Sequence, residues 1–565
     1  MKRRRMLALL GVTVLVSTAA ACSNGGTNAP DTAAKDQAAN QTEAKQTDEA
    51  PDPYKKFDPP ITMSTIFSAD TSTEGGKFPD GESFENNPMH QLFLDTMGIN
   101  VTAKITTTPG AREDKLQLAI TSKDIPDFAY VNQTKLNQLI RGDMVEDLTD
   151  AYNKYASANL KQVLEQNDKK LFAPAMRDGK IYALPDPTTI YDYTPVLWVR
   201  KDWMDKLKLS APKTMEDVFA MAKAFTTEDP DGNGKNDTLG LYLDKDLTGL
   251  NFMMNAYGVY PDTSVSQANM WIKDKDGHYM NGSTDPGAIP VFEQLSELYK
   301  IGAIDKEFAI KDDKKESENI AAGKLGLFFG YFYSPLGDIR DSVRNNPKAD
   351  WVPFSVPAAA GKGDFVPGTP LNAYGWLYVK KGFAHPEALV TMMNYVTDGY
   401  GAPWLVKNGP TVFQKTYEAT AKDPKYANKG LNNWMPMQLA GNINWGPEFK
   451  KDFEAGDKNG PSAKRADYVR MFQPGVEGWA WKKVYLEGYF KAEYPKVRYS
   501  DYSGPPTPTL TRTESILNKE KLESYIAFIM GAKPVSEFNA FADRYNKLGG
   551  TKIAEEMSDF DNGKS

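Results

Sequence analysis

Cys22 is the only cysteine in the 565-residue chain, so whatever folds here folds without a disulfide. It stands directly behind a leader. Lys2, Arg3, Arg4 and Arg5 precede the apolar stretch Met6 to Val16, and the small side chains of Ser17-Thr18-Ala19-Ala20-Ala21 follow. A run this short is a secretory leader, since a membrane span needs about 20 apolar residues. The work of the chain is therefore expected outside the cytoplasm.

The position of the thiol resembles a bacterial lipoprotein signal, with Ala19 where the signal usually carries leucine. The resemblance implies that residues 1–21 are removed and that Cys22 is acylated as the new N-terminus. An ordinary cleaved signal with an incidental cysteine is the plainer alternative. From Ser23 to Pro53 there is no aromatic residue and no Leu, Ile, Val or Met. Such a segment buries too little apolar surface to offset the entropy of ordering. Residues 22–60 read as a flexible tether to the lipid, with an end-to-end reach on the order of 30 Å.

About 500 residues remain from Ile61, more than one hydrophobic core normally fills, so two lobes are expected. The net charge of −7 becomes −11 once the four basic leader residues are gone. An acidic chain with no basic stripe is a poor partner for phosphate backbones, which argues against nucleic acid. His90, His278 and His385 are the only histidines and share no ligand or triad spacing. There is no P-loop, no Gly-x-Gly-x-x-Gly after a strand and no Gly-x-Ser-x-Gly elbow. A two-carboxylate glycosidase needs no sequence motif, so that class stays open.

Short apolar strands alternate with amphipathic helices. Ile61 to Phe67 alternates as a strand, Pro88 to Met97 reads as a helix, and Asn100 to Thr106 is a second strand. Ala111 to Thr121 is a second helix and Asp127 to Val131 a third strand. The rhythm predicts an α/β fold with a mostly parallel sheet, helices on both faces, and ligands at the carboxyl ends of the strands.

Phrases spread along the body resemble periplasmic sugar-binding proteins. They include Asp124 to Tyr130, Leu136 to Thr149, Gly179 to Pro185, Trp198 to Trp203 and Ala211 to Asp217. Gly323 to Gly330, Val379 to Gly382 and His385 to Ala388 continue in order, and Pro506 to Thr509 and Leu548 to Gly550 close the series. The last two are similar to the large oligosaccharide-binding branch of extracellular solute-binding lipoproteins, which includes alginate-binding proteins. The resemblance implies a two-lobed periplasmic-binding-protein-like fold with the ligand cleft between lobes. Lobe 1 is expected at 61–187 plus 375–430, and lobe 2 at 188–374 plus 431–565.

One loop has metal-ligand spacing. In Asp229-Pro230-Asp231-Gly232-Asn233-Gly234-Lys235-Asn236-Asp237, oxygen side chains fall at positions 1, 3, 5 and 9. Lys235 offers a carbonyl and Gly234 the sharp turn, the spacing of an EF-hand for Ca²⁺. Gly240 stands where that loop has its bidentate glutamate. A structural calcium bound by Asp229, Asp231, Asn233, Lys235 and Asp237 is expected, against a hydrated turn as the alternative.

Sugar recognition calls for flat aromatic faces and a few aimed polar groups. Aromatics beside Gly, Pro or Asn are the candidates: Tyr331, Tyr333, Trp376, Trp434, Trp445 and Trp479. Asp70 and Asn132, each just past a strand, are the polar candidates, while Trp198 and Trp203 are assigned to the core. The expected protein is a monomeric, lipid-anchored, non-catalytic substrate-binding component of an ABC importer. It would hand an oligosaccharide to the permease subunits. A secreted carbohydrate-active enzyme and a sugar-sensing lipoprotein are the alternatives.

Overall fold

The computed structural model describes residues 51–562 except 71–75, 166, 188–193, 262–269, 370–372, 399–411, 427–430, 438–445, 459–461, 463–465 and 505. The leader, Cys22 and most of the expected tether lie outside the described residues, as does Trp445. Pro51 to Ser565 forms one unit of the chain.

The chain is docked well before Ile61. Phe57 is buried, its backbone N–H donates to Met97 O at 2.9 Å, and Tyr395 Oη donates to Tyr54 O at 3.0 Å. Gly98 makes this approach possible, because a Cβ there would lie 2.1 Å from Phe57 O. The expected tether therefore ends short of Tyr54. Aromatic anchors inside a polar stretch bury enough surface to hold it.

The first lobe opens with β1 (Ile61–Ser68), α1 (Pro88–Met97), β2 (Ile99–Thr107) and α2 (Arg112–Thr121). It continues with β3 (Phe128–Val131), α3 (Gln133–Arg141) and β4 (Leu184–Pro187). Helix α1 starts where Asn87 Oδ1 accepts from the N–H groups of Met89 (2.8 Å) and His90 (3.1 Å), with Pro88 at its first position. The second lobe brings β5 (Val196–Arg200), α4 (Lys201–Leu207), α5 (Met215–Thr227) and β6 (Leu239–Leu241). Then come α6 (Asp313–Ala321), β7 (Leu325–Gly330), α7 (Asp338–Asn345) and β8 (Trp351–Phe354). The chain returns through β9 (Ala373–Val379) and α8 (Glu387–Val396). It ends in helices α9 (Gly475–Lys482), α10 (Pro508–Ile529), α11 (Phe538–Tyr545) and α12 (Thr551–Asp561).

The three-stranded sheet of β3, β9 and β4 and the four-stranded sheet of β8, β5, β7 and β6 are packed on both faces, and their central strands are apolar on both sides for that reason. On β9, Leu377 and Val379 join the core under α1 and α8, while Trp376 and Tyr378 join the one under α2 and α3. On β5, Leu197 and Val199 face α5 and the C-terminal helices, and Val196 and Trp198 face the opposite cluster. Burying side chains of this size contributes about 1.5–3 kcal/mol each. Trp198, inside the apolar run Val196 to Val199, and Trp203 are 0% and 2% exposed, in the core as expected.

The expectation of a mostly parallel sheet fails. β1–β2 and β6–β7 are parallel, but β9 is antiparallel to both β3 and β4, and β5 is antiparallel to both β7 and β8. The reason is the path of the chain. β5 and β9 are the strands by which it crosses from one lobe into the other, so each enters its sheet from the end where the neighbours finish.

Leu431, Trp434, Met435 and Met437 pack in the first-lobe core, on the far side of the expected division at 430/431. The C-terminal helices pack into the second-lobe core through Leu517, Phe528, Phe538, Phe541, Ile553 and Met557.

Candidate functional site

A cavity of about 480 Å³ opens at the carboxyl ends of β1 and β3, beside the start of β9. This is where strand ends leave side chains and backbone groups unused by the sheet, and the volume is that of a small-ligand pocket. Phe67, Phe84, Tyr130, Tyr374, Met435 and Met437 supply its apolar wall. Among the described residues that line it, Arg112 is the one cation and Asp186 the one carboxylate.

Local structure explains how these groups converge. Opposite the Thr65–Ile66 step β2 carries one extra residue, Lys104, which shifts the β1–β2 register near the end of β1. The start of β3 is stitched to β1, with Ser64 N–H and Oγ donating to Asp127 Oδ2 at 2.8 and 2.7 Å. Gly375 lets β9 run under Tyr130, since a Cβ would sit 2.6 Å from the Tyr130 ring. Arg112 opens α2, donates from Nη2 to Tyr130 O at 2.5 Å and from Nη1 to Glu113 Oε1 at 3.0 Å. Its guanidinium lies 5.8 Å from the centre of the Tyr130 ring. A planar fork on an aromatic face suits hydroxyls or carboxylates.

In the second lobe, Tyr331 and Tyr333 follow β7 at the carboxyl end of that strand. Their rings are stacked at 5.4 Å with 15° between planes, and Phe252 meets Tyr331 edge-on at 6.1 Å. The backbone holds them. Trp198 Nε1 donates to Tyr331 O at 2.9 Å, and Tyr331 N–H donates to Ser334 Oγ at 3.1 Å. Tyr331 is half-buried, while Tyr333 remains 41% exposed.

The other sequence-derived candidates separate. Trp376 is 5% exposed and donates to Leu171 O at 3.3 Å; Trp434 is 0% exposed and stacks on Phe78 at 4.9 Å. Both were expected at the ligand, and both are instead core residues with no face to offer. Asn132 caps α3, its Oδ1 accepting from Lys135 N–H at 2.9 Å while its Nδ2 donates to Glu113 at 3.0 Å. Asp70 is exposed just past β1, and Trp479 is half-buried on α9 beneath the ammonium of Lys483, 6.0 Å away.

Arg112, Tyr130 and Asp186 were missed. A signal for Arg112 existed: an arginine in the first turn of a helix opposes the macrodipole. Asp186 lies one residue beyond the recognised Gly179–Pro185 phrase.

The Asp229–Asp237 loop folds tightly on itself. Asp229 accepts from the N–H groups of Gly232 (3.0 Å), Asn233 (3.0 Å) and Gly234 (3.1 Å), with Gly232 and Gly234 at φ 78° and 77°. Desolvation would raise the Asp229 carboxyl, but these donors prevail and hold it below the usual range. Asn233 Nδ2 bridges Asp231 Oδ2 at 2.8 Å and Asp237 Oδ1 at 2.9 Å. The amide thus occupies the place between carboxylates that a cation would take, and the donors are all oxygens, the hard set that suits calcium. Among the described residues no three His, Cys, Asp or Glu side chains form a metal-holding group.

The histidines are dispersed. His90 Nε2 is 3.1 Å from Val101 O in the core, His278 lies 3.7 Å from Asp274, and His385 lies 3.3 Å from Glu387. No described helix is long and apolar enough to cross a membrane.

Comparison with known proteins places this geometry. Residues 87–398, over half of the chain, match the family described as bacterial extracellular solute-binding protein. The chain is 28% identical over 242 residues to the polygalacturonan/rhamnogalacturonan-binding protein YtcQ of Bacillus subtilis (strain 168), covering 41% of this chain and 44% of that one. It is 32% identical over 208 residues to the fructooligosaccharide ABC transporter substrate-binding protein FusA of Streptococcus pneumoniae serotype 4, covering 32% and 37%. It thus spans less than half the length of these curated relatives. Among solved structures, alginate-binding protein AlgQ2 without calcium ion superposes with TM-score 0.55 at 16% identity, covering 89% of this chain and 98% of that one. FusA of S. pneumoniae in complex with kestose gives 0.56 at 16% identity, covering 88% and 98%. The fold is the two-lobed periplasmic-binding-protein architecture with its cleft between the lobes. The chain belongs to the bacterial extracellular solute-binding protein family.

Proposed function

We propose that this protein is the substrate-binding component of an ABC importer and captures an oligosaccharide between its lobes. The observation that carries the reading is the pair of half-sites at strand ends. Arg112, Asp186 and Tyr130 line the first-lobe cavity, and the Tyr331–Tyr333 stack stands at the end of β7. Polar groups for hydroxyls and flat faces for pyranose C–H surfaces are the two things a sugar site needs. The names of YtcQ and FusA support that ligand class. Lobe 1 comprises 54–187 and the return from 375 through Met437; lobe 2 comprises 188–374 and the chain after Met437.

No bond is broken in this reading. A ligand that touches both lobes only when they close shifts the population toward the closed form, which docks on the permease. Calorimetry of the mature protein against a panel of plant and bacterial oligosaccharides tests it. Reversible binding with the ligand recovered intact is expected, and shortened sugars in the recovered ligand would move the protein to the enzyme class.

Two attachments complete the proposal. Cys22 carries the lipid anchor, so Cys22→Ser should move the protein from the membrane to the soluble fraction; unchanged retention ends that reading. The Asp229–Asp237 loop holds a structural calcium. Calcium should then raise the melting temperature by mass action, and Asp229→Ala with Asp231→Ala should abolish the rise. Identical melting with chelator and with calcium would leave the loop a plain turn.

A further inference from the structure

Glu316, on α6, is 0% exposed. Its Oε1 accepts from Asn319 Nδ2 at 2.9 Å, and its Oε2 is buried with no hydrogen-bond partner. An ionised carboxylate in such a place lacks the donors that would replace its water, a large penalty. Its surroundings are acidic. Asp244, in the turn after β6, is 0% exposed and raises the Glu316 carboxyl electrostatically, as does Asp305. Tyr242 Oη donates to Asp313 Oδ1 at 2.7 Å, so that phenolic proton is committed elsewhere. Asp338, on the neighbouring helix α7, is itself held above the usual carboxylate range by burial and by Asp313.

The cations nearby are already engaged. Lys311 pulls the Glu316 carboxyl down electrostatically, yet its Nζ pairs with Asp305 at 2.6 Å and Glu307 at 3.4 Å. On α7, Arg340 pairs with Glu477 at 3.4 Å, and Arg344 pairs with Asp341 at 2.5 Å and Glu477 at 3.0 Å. Among the described residues no three of these acids form a metal-holding group.

We propose that Glu316 is a proton-dependent latch of the second lobe: as a neutral acid it seats α6 against α7 and the Tyr242–Asp244 turn, and once ionised it loosens them. Burial pushes the carboxyl up to about 7 from an ordinary 4.5. The folded state therefore holds a proton that the unfolded chain releases earlier. The stabilisation is complete below about pH 4.5 and is lost as pH rises through about 7. The latch lies at the carboxyl end of the paired strands β6 and β7, the end from which Tyr331 and Tyr333 extend.

Glu316→Gln keeps the shape and removes the charge. Thermal unfolding of the mature protein should give equal melting temperatures for wild type and variant near pH 5, and a higher one for the variant near pH 8. Wild-type and variant curves that run parallel across that range overturn the proposal. If the variant does not fold, hydrogen exchange of wild-type amides 313–321 decides. After correction for intrinsic rates, their protection should drop between about pH 5 and about pH 8 relative to first-lobe helices, and equal protection overturns it.

Discussion

The two lobes present their aromatics in opposite ways. In the first, Tyr130 is locked by Arg112 and Gly375 at the edge of a sheet, and the neighbouring Trp376 and Trp434 are sealed in the core. In the second, Tyr331 and Tyr333 stand on a loop after β7, stacked on one another, with Tyr333 41% exposed. The first lobe has a shaped cavity with a cation and a carboxylate; the second has a flat, sequence-tolerant platform. Rigid polar groups discriminate among sugars, because a misplaced hydroxyl leaves a buried partner unpaired. Stacking faces add affinity with little selectivity. On the proposed reading, specificity falls to the first lobe and general grip to the second.

The contrast breaks first at Trp434. As a core residue with 0% exposure stacked on Phe78, its replacement in Trp434→Ala should lower stability by about 3–5 kcal/mol. Denaturant titration reads this as an earlier midpoint. A variant as stable as wild type would return Trp434 to the list of ligand platforms and erase the difference between the lobes.

That substitution also marks where the sequence was legible. The βαβα rhythm and the helices from Pro88 and from Arg112 follow from hydrophobic period, with a cap at Asn87 for the first, and both signals are local. Trp198 was legible because its neighbours Leu197 and Val199 are apolar on both sides. Trp434 sits in Asn432-Asn433-Trp434-Met435-Pro436, whose polar flanks resemble a loop. Its burial depends on Phe78 and Tyr426, contacts fixed by tertiary packing alone. The antiparallel course of β5 and β9 was hidden for a similar reason. Strand direction depends on which lobe the chain comes from, and the crossing leaves no mark in strand composition. The Tyr331–Tyr333 pair was visible because a turn after an apolar strand is itself a local signal.

Arg112 sharpens the contrast next. It is the cation of the first-lobe cavity, and hydrogen bonds to a charged group are worth about 1.5–3 kcal/mol. Arg112→Ala should weaken oligosaccharide binding roughly ten- to a hundred-fold, with the ranking of sugars altered as well as the affinity. Arg112→Lys should restore only part of it, because an ammonium lacks the planar fork. An unchanged sugar ranking in calorimetry would remove specificity from the first lobe.

Tyr333 gives the smallest effect and the cleanest separation. Losing its stack on Tyr331, Tyr333→Ala should cost about 0.5–1.5 kcal/mol of stability, far less than Trp434→Ala. Loss of one face of the stack should still reduce affinity by about 1 kcal/mol or more, roughly five-fold. If the second lobe only grips, this reduction is the same for every sugar that binds, whereas the Arg112→Ala losses differ from sugar to sugar. A Tyr333→Ala loss confined to one ligand would show that the platform discriminates too, and the division of labour between the lobes would have to be redrawn with Tyr331 and Phe252 as part of the selective surface.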